Sequence, residues 1–362
     1  MKKSIYVSRP YLPSKIKLNQ YIDQIYQRNI LTNNGPLVQE LTQRLKEKLG
    51  VKYLLLVNNG TTSLLLAYHI KNLVNKTIIT TPYTFAATST AIKWLGANVL
   101  FADIDNSHWN LSPESVEQKL ATGKGDAIVP VNLFGVPCDL DAFEELKSKY
   151  NIPLIYDSAH ALLSEYKGKN IYQYGDIHSI SFHATKLFHC IEGGALIFNQ
   201  EADYIKAKNL INFGIDELGD IHDAGINGKL SEFHAAMGLC VLDELDELVN
   251  ERDYLVDYYK QKLGDLLQFQ TTPFPCVSQP IYMPVQFATE RLLCSVEEAL
   301  KAQGVFARRY FLPQHYKFLE LPELQGLEKC SDIANRVLCL PLFNGMTESQ
   351  IDEIVTIIKD NI

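Results

Sequence analysis

Leu54-Leu55-Leu56-Val57 runs into Asn58-Asn59-Gly60-Thr61-Thr62 and then into a helical pattern over residues 63–70. That succession of apolar strand, small polar turn and helix decides the fold, because it recurs. Thr77-Ile78-Ile79-Thr80 leads to Pro82 and a small-residue stretch through Ala91. Residues 97–101 end at Asp103, and residues 127–131 end at Asn132-Leu133-Phe134-Gly135. Residues 153–156 end at Asp157, and Ser179-Ile180-Ser181-Phe182 precedes Lys186. Nearly continuous apolar strands alternating with helices predict a parallel or mixed sheet covered on both faces. In such a sheet, the polar residues just past the strand ends gather along one edge, where ligands bind.

Outward from this core the texture changes. Past about Ala235, residues 239–262 read as one long charged helix with Leu242, Leu245 and Leu248-Val249 on one face. Four prolines (Pro273, Pro275, Pro280, Pro284) mark the next stretch as a boundary or edge region. A smaller α+β unit follows and closes with an amphipathic helix over 348–358. The expected organisation is a large domain over residues 1–240 and a small C-terminal domain over 241–362.

With 362 residues, 46% of them apolar and 21% charged, the chain has the composition of a folded globular protein rather than a disordered one. Its net charge of −8 offers no global attraction to nucleic acid or to an anionic membrane, so an anionic ligand must be held locally. The seven cysteines form no CxxC pair, which argues against a disulfide framework and a zinc ribbon. No run is apolar enough for a signal peptide or a membrane span, and the expected location is the cytoplasm.

Three positions invite chemistry. Gly60-Thr61-Thr62 sits between a strand and a helix, where unpaired backbone amides can hold a phosphate; alone it reads better as a helix cap at Thr61 or Thr62. Asp157 closes a strand among small residues, suited to pairing with a protonated ring nitrogen or to capping the next helix. Lys186, close ahead of Glu192-Gly193-Gly194, can enter a pocket and condense with an aldehyde once its amine is desolvated. His178, His183 and His189 with Cys190 and Glu192 match no usual metal spacing, so no metal is expected. GxGxxG after a strand, GxxxxGK[ST] and GxSxG are all absent.

Taken in order, Gly60-Thr61 after the first strand, Phe85, Asp157-x-Ala159-His160-Ala161, Ser181-Phe182-His183-x-x-Lys186 and Glu192-Gly193-Gly194 resemble the DegT-type sugar aminotransferases. These are fold-type I enzymes that use pyridoxal 5′-phosphate (PLP). Asn34-Gly35-Pro36, Asn132-Leu133-Phe134-Gly135, Gly225-Ile226-Asn227-Gly228-Lys229 and residues 334–343 extend the resemblance over nearly the whole chain. It implies a large three-layer α/β domain with a mostly parallel sheet and a smaller C-terminal α+β domain.

Carried over residue by residue, the resemblance makes Lys186 the lysine that joins the cofactor and later shuttles a proton. Asp157 pairs with the ring nitrogen, His160 lies beside the ring, and Phe85 stacks on it. Gly60, Thr61 and Ser181 hold the phosphate, and Asn227 reaches it from a neighbouring subunit, so the resemblance implies a homodimer with shared sites. His183, Arg308, Arg309 and Lys317 are the residues expected to bind substrate. The implied reaction moves an amino group from L-glutamate to a nucleotide-linked keto sugar, in the branch acting on dTDP-4-keto-6-deoxyglucose for O-antigen or antibiotic sugars. A 3-keto sugar nucleotide is the alternative substrate. Other readings are a catalytically silent PLP or sugar-nucleotide sensor, which intact Lys186 and Asp157 disfavour, and a zinc hydrolase built on His183, His189 and Glu192. The stretch Leu187-Phe188-His189-Cys190-Ile191 departs from the family, where threonines and a glycine are common, and bears on substrate choice.

Overall fold

A computed structural model describes residues 4–312 and 326–362. Asn98–Phe101, Thr77–Thr80 and Ala127–Ile128 pair side by side in that order, all parallel. Ile155–Asp157, Ile177–Ser181, Gly194–Phe198 and Tyr53–Val57 form a second row, in which Gly194–Phe198 alone runs antiparallel to its neighbours. Parallel bridges from Ile128 to Leu154 and from Val131 to Asp157 join the two rows into one mostly parallel sheet.

Alternation along each strand feeds a core on each face. Leu54, Leu56, Tyr156 and Ile180 point into one core, closed by the helices Pro36–Leu49, Leu140–Tyr150 and Glu232–Asp243. Val57, Ile155, Ile177 and Leu196 point into the other, closed by Gly60–Ile70, Ala86–Trp94 and Glu201–Leu210. Both faces are therefore dry, and the ligand-accessible part of the sheet is the edge formed by its strand ends.

A third core draws on Leu255, Tyr259, Val285, Leu293, Leu338 and Ile354, with Ile5 packed among them. Here Met283–Gln286 pairs antiparallel with Val337–Leu340, and the helices Glu290–Ala302 and Glu348–Lys359 pack on this unit. Ile5–Tyr6 crosses over to pair with Val305–Phe306.

The expected single helix over 239–262 is two. Glu232–Asp243 ends at Glu244, where the backbone leaves helical geometry at φ −112° and ψ 3°, and Leu245–Leu263 starts beyond it. The break re-aims the apolar stripe. Leu239, Leu242, Leu245 and Leu248 stay in the first core, while Leu255, Tyr259 and Leu263 enter the third. Among the described residues, no helix is long and apolar enough to cross a membrane.

One buried carboxylate explains Asn34-Gly35-Pro36. Pro36 opens its helix, and the free amides of Leu37 and Val38 donate to the two oxygens of Glu232 at 3.0 and 2.9 Å. A Cβ on Gly35 would lie 2.6 Å from Glu232 Cδ, so glycine is required for that approach. Glu232→Ala strands two buried amides and is expected to destabilise the fold by about 2–4 kcal/mol. Chemical denaturation checks this, and an unchanged midpoint would contradict it.

Candidate active site

The strand ends converge on a cavity of about 310 Å³. Tyr53–Val57 leads to Asn59, which caps the helix Gly60–Ile70 by accepting from Thr62 N at 2.8 Å. The cap is thus Asn59 rather than Thr61 or Thr62. Gly60 and Thr61 become the first helical residues, whose amides have no carbonyl of their own helix to bond. Ser181 ends the strand Ile177–Ser181, separated from Tyr53–Val57 by Gly194–Phe198, and a Cβ on Gly60 would meet Ser181 Cβ at 2.9 Å. The missing side chain leaves a cradle of amides and hydroxyls shaped for a phosphate.

Across the cavity, Asp157 ends its strand and is buried. Its Oδ2 accepts from Thr88 Oγ1 at 2.7 Å and its Oδ1 from Ala159 N at 3.1 Å. Burial pushes the carboxyl above its ordinary pKa, while the Thr88 and Ala159 hydrogen bonds and the Lys186 charge oppose that. Lys186 lines the same cavity, its Nζ 5.9 Å from the Tyr282 ring centre. Desolvation lowers its pKa to about 8, against the pull of Asp157. An amine that gives up its proton near pH 8, well below the ordinary lysine range, is a competent nucleophile and base.

Aromatic rings close the remaining walls. Phe134, His160 and Phe311 lie nearly parallel, within 14° of one another, with ring centres 6.0 to 6.3 Å apart. His160 Nδ1 accepts from Phe134 N at 3.2 Å, and burial together with the Lys186 charge pushes the imidazole well below its usual pKa, so it is neutral. Phe85 stands at the mouth, 62% exposed and edge-on to Phe311. A large aromatic ring left so bare beside a cavity suits a ligand that covers it.

The structure brings Gly60, Thr61, Phe85, Asp157, His160, Ser181, His183 and Lys186 onto one cavity. His183 is at the rim, bonded to Thr185 Oγ1 at 2.9 Å, with Glu192 3.7 Å away. Asn227 does not line it. That residue is exposed in a segment whose Gly228 carbonyl accepts from Asn58 N. Arg308 is also exposed and exchanges backbone bonds with Cys339. Arg309 departs from its expected place at the substrate: its guanidinium is held away from the cavity by Glu290 at 2.9 Å and the Asn335 carbonyl at 3.2 Å. Lys317 lies outside the described residues.

The histidines considered for a metal are dispersed. His178 bonds Ser158 and the Tyr174 carbonyl, and His189 the Tyr11 carbonyl. Among the described residues, no three His, Cys, Asp or Glu side chains converge. A larger cavity, about 440 Å³, follows the outer edge of Tyr53–Val57, but its two lysines are engaged by Glu217 and Asn212 and it holds no acid–base pair.

Sequence reasoning missed Thr88, Tyr282 and Phe311. Thr88 carried a faint signal, a polar residue three positions after Phe85 in a small-residue stretch. Tyr282 carried none.

The donor set fits PLP: a phosphate cradle, a buried anion for a ring nitrogen, an amine of lowered pKa and an uncovered aromatic face. The chain matches the sequence model of the DegT/DnrJ/EryC1/StrS aminotransferase family over residues 14–359. It is 36% identical to a dTDP-4-amino-4,6-dideoxy-D-glucose transaminase of Shigella dysenteriae, over 99% of this chain and 100% of that protein. It is also 36% identical to a UDP-4-amino-4,6-dideoxy-N-acetyl-beta-L-altrosamine transaminase of Campylobacter jejuni, over 88% and 87%. The crystal structure of DesI in the presence of its TDP-sugar product superposes with a TM-score of 0.91 at 31% identity, covering 99% of this chain and 93% of that one.

Proposed function

The chain belongs to the DegT/DnrJ/EryC1/StrS aminotransferase family and is a PLP-dependent sugar aminotransferase, and from that premise we propose its substrates. The amino group of L-glutamate passes to C4 of dTDP-4-keto-6-deoxy-D-glucose, giving dTDP-4-amino-4,6-dideoxy-D-glucose and 2-oxoglutarate. The observation that carries the chemistry is the meeting of Lys186 and Asp157 in one cavity with the Gly60 cradle. C4 is favoured over C3 because both relatives described above bear the names of 4-amino-4,6-dideoxy sugars.

In this reading Gly60, Thr61 and Ser181 grip the phosphate, Phe85 covers one face of the ring, and His160 flanks it. When bound, PLP supplies an electron sink for the carbon that loses its proton. Asp157 keeps the ring nitrogen cationic, which is what makes the sink effective. Lys186 would hold the cofactor through its amine and, once free, would move the proton at the reacting carbon, in opposite senses in the two halves of the cycle. His183 and Arg308 contact the sugar nucleotide. Asn227, exposed on one copy, completes the phosphate site of a second copy; a monomer in sedimentation that is fully active would overturn this. The enzyme works in the cytoplasm to supply an amino sugar for surface polysaccharide, and unchanged O-antigen in a deletion strain would contradict that role.

The test is turnover of the PLP-loaded protein with L-glutamate and a panel of acceptors, read by mass spectrometry. The expected result is amination of the dTDP-linked 4-keto sugar with kcat/KM at least about tenfold above UDP-linked or 3-keto acceptors, a margin of about 1.4 kcal/mol. Preference for another acceptor replaces the substrate and leaves the chemistry; no amination of any acceptor removes the reading.

A further inference from the structure

Asp157 is held by more than the strand it ends. Thr88 Oγ1 donates to its Oδ2 at 2.7 Å, and Thr84 Oγ1 lies 2.8 Å behind Thr88 Oγ1. An ionised carboxylate only accepts, so the single Thr88 proton is committed to Asp157 and Thr84 is the donor to Thr88. All three side chains are shut off from water, at 2% exposure for Thr84, 0% for Thr88 and 5% for Asp157. Ala159 N occupies the other carboxylate oxygen. The hydroxyls belong to one turn: Phe85 stands between them in sequence, and Thr88 N donates to the Phe85 carbonyl at 3.2 Å.

We propose that Thr88, backed by Thr84, is a positioning residue for the reaction: two buried hydroxyls in series fix the Asp157 carboxylate toward the ring nitrogen and key it to the turn that carries Phe85. The proposal rests on the reading that this cavity holds PLP. Fixing the carboxylate matters because its rotamer sets the direction of the charge pair, and a buried anion without donors is driven toward its neutral form. The other titratable groups facing Asp157 are Lys186 beyond the strand Ile177–Ser181, Tyr68 on the helix Gly60–Ile70, and Cys138. Burial pushes the Tyr68 phenol and the Cys138 thiol well up, so both stay neutral. Lys186 alone brings a charge, and it can be removed.

The experiment therefore measures equilibrium PLP binding in the Lys186→Ala background from pH 5.5 to 8.5, with no turnover involved. Thr88→Val is expected to weaken PLP on the order of tenfold at pH 8, the loss of one charge-assisted hydrogen bond. Its binding should also fall away at a higher pH than that of the Thr88 parent, because the carboxylate protonates sooner. PLP's own titration is common to both proteins and cancels in the comparison. Thr88→Ser, which keeps the hydroxyl, restores affinity and pH limb, while Thr84→Val shifts both in the same direction by less. Parental affinity and limb in Thr88→Val would overturn the proposal, as would Thr88→Ser binding as weakly as the valine variant. If Thr88→Val does not fold, Thr84→Val and Thr88→Ser decide in the same way. Asp157→Asn is the control: if it leaves PLP binding intact, the cofactor reading itself is wrong.

Discussion

Lys186→Ala is expected to abolish transamination, by roughly 10³-fold or more, while the protein folds as before. The loss is large because, in the proposed reaction, one amine performs two jobs, anchoring the cofactor and carrying the proton at the reacting carbon. The fold is spared because the side chain points into the cavity rather than a core. Its neighbours explain its competence. Burial in the enclosed cavity disfavours the ammonium form and lowers the pKa to about 8, against the pull of Asp157. The capture of free PLP by the apo protein should therefore slow as pH falls below about 8, since the protonated amine cannot attack. Stopped-flow absorbance across pH 6 to 9 reads that slope. Turnover retained in the alanine variant, or a capture rate flat across the range, would remove Lys186 from this role.

Asp157→Asn should reduce turnover by a hundredfold or more, on the order of 3 kcal/mol for the loss of one partner in a buried charge pair. Asparagine keeps the shape but cannot hold the ring nitrogen cationic. The apo protein should meanwhile be at least as stable as the parent at neutral pH. The sign follows from the direction of the shift. Burial raises the Asp157 carboxyl above its unfolded value, so the ionised side chain costs stability at pH above its folded pKa, and that cost fades as pH falls through it. Removing the charge relieves the cost while removing the function, which is the trade expected of a residue retained for catalysis. Parental turnover in Asp157→Asn would sink the assignment, and a large drop in its apo melting temperature would make the residue structural.

Much of this was legible along the chain because the decisive residues sit just past strand ends. Asp157, Ser181 and the Gly60 turn each follow an apolar run, and a parallel sheet brings all such positions to one edge. Their order also carried the family resemblance. The two-helix break at Glu244 was not legible, since residues 239–262 have a continuous helical period and only the need to serve two cores interrupts it. The engagement of Arg309 was hidden for a related reason. Two adjacent arginines look alike in sequence, and it was Glu290, one helix away, that took one of them.

The sequence by itself determined the alternating architecture and the strand–turn–helix succession at Gly60, because each is written in residues within a few positions of one another. Only the tertiary structure decided what those residues become. Thr88 reaches Asp157 across 69 positions, and Glu232 seats the helix Pro36–Leu49 across 195. Tyr282 shares the Lys186 cavity although nothing local marks it. Hydrogen bonds and desolvation act over a few ångströms of space whatever the separation in sequence. The pKa of Lys186 and the aim of Asp157 are therefore properties of the folded chain and of no segment of it.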